Sequence, residues 1–109
     1  MFDNANSVWE TSFARQLAEA LVAVDDVTTM QNVLRDVLTE KEIIEVSARL
    51  EAARMLRAGK KYTEIIEQTK LSSRTIARIS DWMQNGAGGY AAVLNQIEVH
   101  HSHIPPARA

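Results

Sequence analysis

The chain has no cysteine in its 109 residues. Disulfides and cysteine-ligated metal sites are therefore excluded, and a reducing compartment is the natural setting. No apolar run approaches the ~20 residues needed to span a bilayer. No basic segment followed by an apolar run marks a signal peptide at the start, so a cytoplasmic protein is expected. Strand-type alternation and internal repeats are missing as well. So are a nucleophile motif, a glycine-rich phosphate loop and any metal-ligand spacing. The carboxylates of the first half converge on no hydrolytic pattern, and an enzyme is not expected. Proline is limited to Pro105 and Pro106, in a patternless tail from His100 that is expected to be disordered. His100, His101 and His103 in that tail read as solvated side chains, not as a metal site.

What remains is helical throughout. At 46% hydrophobic residues the chain can build one core, and its length is that of a single domain. Trp9, Phe13, Leu17, Leu21 and Val24 form one stripe, which Asp25 and Asp26 interrupt. Met30, Val33, Leu34, Val37 and Leu38 follow as an amphipathic helix, with Thr28 or Thr29 as its cap. Thr39 and Glu42 make a capping box. The long helix over 39–59 that follows is expected to bury Ile43, Val46, Leu50, Ala53 and Leu56, and Gly59 stops it. After a break at 85–89, a last helix over 89–99 should turn Val93, Leu94 and Ile97 inward. The expectation is an all-α fold of about six helices.

The most informative stretch is 60–83, KKYTEIIEQTKLSSRTIARISDWM. It reads as two short helices and a tight turn. Ser72 is a good N-cap for the second. Ile76, Ile79 and Met83 recur there as a buried stripe, with Leu71 plugging the gap between the helices. The opposite face carries Ser73, Arg74, Ala77, Arg78 and Asp81. Ala77 leaves room for close approach to a groove floor. Arg74, near the helix start, can give two parallel hydrogen bonds to guanine O6 and N7. The first helix, roughly 63–69, buries Ile65 or Ile66 and exposes Glu64, Glu67 and Gln68. Lys70 occupies a turn position that often has positive φ and often carries glycine.

Charge coincides with this motif. The net charge of −2 says little. Residues 54–78, however, hold 7 basic and 2 acidic side chains, while residues 1–53 hold 4 and 10. Positive charge on and just before the motif is the footprint of phosphate contact. The candidate DNA-contacting residues are Lys61, Thr63, Lys70, Ser72, Ser73, Arg74, Ala77 and Arg78. The stripes of residues 5–38 are too wide for the motif's own core to cover, so these helices are read as a dimer interface. A dimer also presents two half-sites. The second reading, favoured by Glu64 and Glu67, is a helical protein-interaction module that keeps the motif as scaffold.

Several runs together resemble the Trp-repressor superfamily: Leu38-Thr39-Glu40-Lys41-Glu42, Ala48-Arg49, Leu56 with Gly59, and Thr75-Ile76-Ala77-Arg78. The run Gly89-Tyr90 to Val93-Leu94 is most similar to its YerC/YecD-type relatives. The resemblance covers about residues 9–98. It implies an intertwined all-α homodimer that binds double-stranded operator DNA, no membrane being involved. It also implies a corepressor, tryptophan or another small amino-acid-like ligand, sandwiched between two arginines with a threonine nearby. The matching positions are Arg49, Arg78 and Thr39. Arginine stacks on rings and pairs with carboxylates better than lysine does. Two features depart from the family. Ile79 stands where the repressor has glycine and would occupy room near the ring. Glu64 and Glu67 stand where basic residues are usual. For Arg49 the residues also allow an ion pair with Glu42 or Glu45.

Overall fold

The structure, a computed structural model, describes residues 7–102, with side chains through residue 98. After one 3-10 turn, Ser7–Glu10, come six α-helices: α1 Ser12–Val22, α2 Val27–Val37, α3 Glu40–Arg57, α4 Tyr62–Thr69, α5 Ser73–Asn85 and α6 Gly89–Ser102. No strand occurs among the described residues. None of these helices is long and apolar enough to cross a membrane. The chain divides into two compact units, 1–48 and 49–109, with the division inside α3.

In the first unit the helix starts are set by short polar side chains. Thr11 caps α1: its hydroxyl accepts from the Ala14 N–H at 3.4 Å and donates to the Val8 carbonyl at 3.0 Å. Helix α1 therefore begins after Trp9, and the stripe from Trp9 to Val24 runs beyond both of its ends. Helix α2 is capped by Asp26, not by Thr28 or Thr29, which lie inside its first turn. The Asp26 carboxylate accepts from the Thr29 N–H at 2.8 Å. This bond holds the carboxyl below its usual pKa. A charged acceptor beside free N–H groups at the positive end of the helix dipole outcompetes a hydroxyl one turn later. The capping box of α3 forms as expected. Glu42 Oε1 accepts from the Thr39 N–H at 2.8 Å, and Thr39 Oγ1 accepts from the Glu42 N–H at 3.1 Å.

This first unit buries no side chain fully among its described residues. Phe13 and Val22 are each 84% exposed and Val27 is 72% exposed. Val46 is also exposed, contrary to the expected stripe of α3. The burial of α3 is confined to its later turns, at Ala52, Ala53 and Met55.

Those three residues belong to the second unit, where they meet Ile65 of α4, Ile76 and Ile79 of α5, and Leu94 of α6. Ala52 and Ala53 are completely buried. With no side chain beyond Cβ, they let the neighbouring apolar groups approach the α3 backbone closely. Leu50, Leu56, Ile66, Leu71, Met83 and Tyr90 pack around this core. On α6 the inward positions are Tyr90, Leu94 and Ile97, spaced i, i+4 and i+7; Val93, one step round the helix, is exposed. Helix α6 runs to Ser102, so residues 100–102 are its end and not the start of the tail. Residues 103–109 lie outside the described residues.

Gly59 ends α3 with φ +81°. Its N–H donates to the Leu56 carbonyl at 3.0 Å, and the Lys60 N–H donates to the Met55 carbonyl at 3.0 Å. That paired arrangement satisfies two helix-end carbonyls and turns the chain sharply into α4.

Candidate nucleic-acid interface

Helix α4, the turn and α5 form the two-helix motif, and the turn is tightly bonded. Lys70 takes the left-handed conformation with φ 65°, and its N–H donates to the Ile66 carbonyl at 2.8 Å. The Thr69 hydroxyl donates to the Ile65 carbonyl at 2.7 Å and accepts from the Leu71 N–H at 3.2 Å. Leu71 packs against the core between the helices. Ser72 caps α5: its hydroxyl oxygen accepts from the Thr75 N–H at 3.1 Å and donates to Thr75 Oγ1 at 3.0 Å. The half of α5 that turns inward buries Ile76 and Ile79, while Met83 is half-buried.

Every candidate DNA-contacting residue is exposed: Lys61 and Thr63 at the start of α4, Lys70 and Ser72 in the turn, and Ser73, Arg74, Ala77 and Arg78 on α5. The hydroxyl of Ser72 is committed to capping; only its remaining acceptor capacity faces outward. Glu64, Glu67 and Gln68 are exposed on α4.

The positive footprint is narrower than the sequence implies. Arg54 pairs with Glu51 at 2.6 Å and Arg57 pairs with Glu98 at 2.7 Å. The Arg54 hydrogen bond lowers the Glu51 pKa and raises that of Arg54. Arg57 also donates to Asn95 Oδ1 at 2.6 Å, tying the end of α3 to α6. Two of the seven cations are thus neutralised locally. Lys60, Lys61, Lys70, Arg74 and Arg78 are in no ion pair among the described residues.

A second feature lies on the flank of α5. An open cavity of about 340 Å³ is lined by Arg49, Thr75, Arg78, Ile79, Trp82 and Tyr90. It brings together two of the three residues expected at a ligand site, Arg49 and Arg78. Arg49 is in neither of the ion pairs found, so the expected pairing with Glu42 or Glu45 does not occupy it. Thr39 belongs to the other unit, where its hydroxyl caps α3. Ile79 is only 3% exposed; it is a core side chain that also lines the cavity. Trp82 and Tyr90 are not among the residues expected at a ligand site. Trp82 follows Arg78 by four residues and so shares its helix flank, a signal the sequence does hold. Tyr90 reaches the cavity only through the packing of α6, for which the sequence offers none. Gly86 leaves room for the Trp82 ring: a Cβ there would stand 2.6 Å from Trp82 Cε3 and 2.5 Å from its carbonyl oxygen.

Comparison with known proteins agrees with this architecture. Residues 13–98 match the Trp repressor protein family. The uncharacterized protein YerC of Bacillus subtilis (strain 168) is 31% identical over 83 residues, 76% of this chain and 80% of YerC. The crystal structure of a TrpR like protein from Eubacterium eligens ATCC 27750 superposes with a TM-score of 0.80 at 32% identity, covering 85% of this chain and 96% of that one. The chain belongs to the Trp repressor family, which points to a DNA-binding helix-turn-helix regulator.

Proposed function

We propose that this protein is a sequence-specific transcriptional regulator, in the first instance a repressor, that binds a palindromic operator as a homodimer. The observation that carries this reading is the bare face of α5. Ser73, Arg74, Ala77 and Arg78 are all exposed beside the unpaired Lys61 and Lys70. Arg74, in the first turn of α5, is the base reader: its planar fork matches guanine O6 and N7. Lys61, Thr63 and Lys70 contact phosphates and fix the register of the helix; the Ser72 hydroxyl hydrogen is held by Thr75 Oγ1 and is not free for a phosphate. Ala77 permits close approach.

Dimerisation is supported by the first unit. Its helices carry strongly exposed Phe13, Val22 and Val27 and bury nothing fully on their own. Apolar surface of that extent marks an interaction site. A two-fold partner would cover it and duplicate the reader.

The cavity beside α5 is the proposed seat of a gating ligand. Arg49 and Arg78 supply two guanidinium forks for a carboxylate, and Trp82 and Tyr90 supply aromatic walls. Ile79 lines the same cavity and its branched side chain takes room that a ring would need, so tryptophan itself is a weak ligand or none. Glu64 and Glu67 favour the second reading, a protein-interaction module, because exposed carboxylates on α4 repel phosphate. Selection of binding sites from random duplex DNA separates the two. A regulator enriches a palindrome, and a module enriches nothing.

A further inference from the structure

The exposed stripe of α5 does not end at Arg78. Positions 74, 77, 78 and 81 share one face at helical spacing, and the last is the carboxylate Asp81, also exposed. A face needed only for phosphate affinity would not carry an anion there. Asp81 is in neither of the ion pairs among the described residues, although Arg78 lies one turn before it. Instead its Oδ1 accepts from Asn85 Nδ2 at 2.8 Å. The amide leaves the negative charge intact and restrains the side chain. Oδ2 has no partner among the described residues and remains an oriented acceptor.

We propose that Asp81, positioned by Asn85, is a second base-reading residue that accepts a hydrogen bond from the exocyclic amine of a cytosine in the major groove. This rests on the DNA-binding reading above. The chemistry selects the base. A carboxylate needs a donor, and only cytosine N4 and adenine N6 offer one in that groove. Adenine places the N7 acceptor beside its amine, which repels a carboxylate, whereas cytosine has no acceptor there. The placement is compatible. Asp81 lies about 4.5 Å further along the helix axis than Arg78 and about 10 Å beyond Arg74, against a base-pair step of about 3.4 Å. Arg74 and Asp81 can thus address different base pairs of one half-site.

The test is binding-site selection with the full chain, wild type against Asp81→Ala, Asp81→Asn and Asn85→Ala, followed by affinity measurement on the selected duplex. Wild type should show one column per half-site dominated by cytosine. Asp81→Ala should flatten that column alone and weaken the selected duplex by about tenfold, within the range of a single base contact. Asp81→Asn keeps the shape of the side chain and should shift the same column toward adenine, because an amide pairs with N6 and N7 together. Asn85→Ala should blur that column without changing the others, an effect that a purely structural role of the amide would not produce. The inference is overturned if Asp81→Ala leaves every column intact. It is equally overturned if Asp81→Ala raises affinity on all duplexes, which would make the carboxylate a mere repeller of phosphates. If wild type selects no motif, the DNA-binding reading fails first and this inference with it.

Discussion

Lys70 gives two effects of opposite sign from one position. It is a non-glycine residue held at φ 65°. The left-handed region costs an L-residue about 1–2 kcal/mol, because Cβ crowds the following carbonyl. Glycine escapes that cost but loses about 0.5–1 kcal/mol through the greater freedom of its unfolded chain. Lys70→Gly should therefore leave the protein as stable as wild type or up to about 1.5 kcal/mol more stable, equal to a rise in Tm of several degrees for a domain of this size. Lys70→Ala keeps the Cβ and the strain, so it should melt close to wild type. The side chain is exposed beside the start of α5, and both variants lose the same ammonium. Both should weaken every duplex alike and lower the slope of log affinity against log salt by about one per protomer. Thermal and urea unfolding followed by circular dichroism read the first effect, and fluorescence anisotropy at two salt concentrations reads the second. The reasoning is refuted if Lys70→Gly is clearly destabilised, or if the two variants differ in DNA affinity.

The protein should sediment at micromolar concentration as twice its 12.2 kDa chain mass, with or without DNA; a species at the chain mass would exclude the dimer. Leu34→Asp should split or unfold that dimer by placing an unpaired charge in the apolar stripe. Isothermal titration with tryptophan should show weak binding or none, and DNA affinity should not respond to it; micromolar affinity would overturn the role given to Ile79. Ile79→Ala should cost about 2–5 kcal/mol of stability, since the side chain is buried in the core. The Asp26 carboxyl has a lowered pKa in the folded chain, so its capping of α2 stabilises above the ordinary carboxylate range and is lost as pH falls through the lowered value. Asp26→Asn should flatten that acid limb of the stability profile.

The motif was legible because its determinants are local. Ser72, the Thr39–Glu42 box and Gly59 each act within a few residues: the first two form the bonds that their side-chain chemistry dictates, and Gly59 takes the positive φ that ends α3. The apolar stripe of α5 was legible for the same reason. Val46 and Val93 were misplaced because a periodic pattern marks a face without saying whether anything packs on it. The α2 cap is ambiguous in the sequence because Asp26, Thr28 and Thr29 are all capping residue types and only the backbone decides where the first turn begins. The cation footprint looked broader than it is, since the pairing of Arg57 with Glu98 joins residues far apart in sequence. Tyr90 reached the cavity by tertiary packing alone, and no spacing in the chain announces it.

The central claim is that the bare face of α5 reads DNA sequence, and selection from a random duplex pool with wild type and Arg74→Ala tests it most directly. Wild type should enrich a palindrome whose half-sites share a guanine-dominated position. Arg74→Ala should lose that position and about 1–3 kcal/mol on the selected duplex, with the other columns retained. No palindrome from wild type, together with an Arg74→Ala variant that binds every duplex as wild type does, would contradict the account.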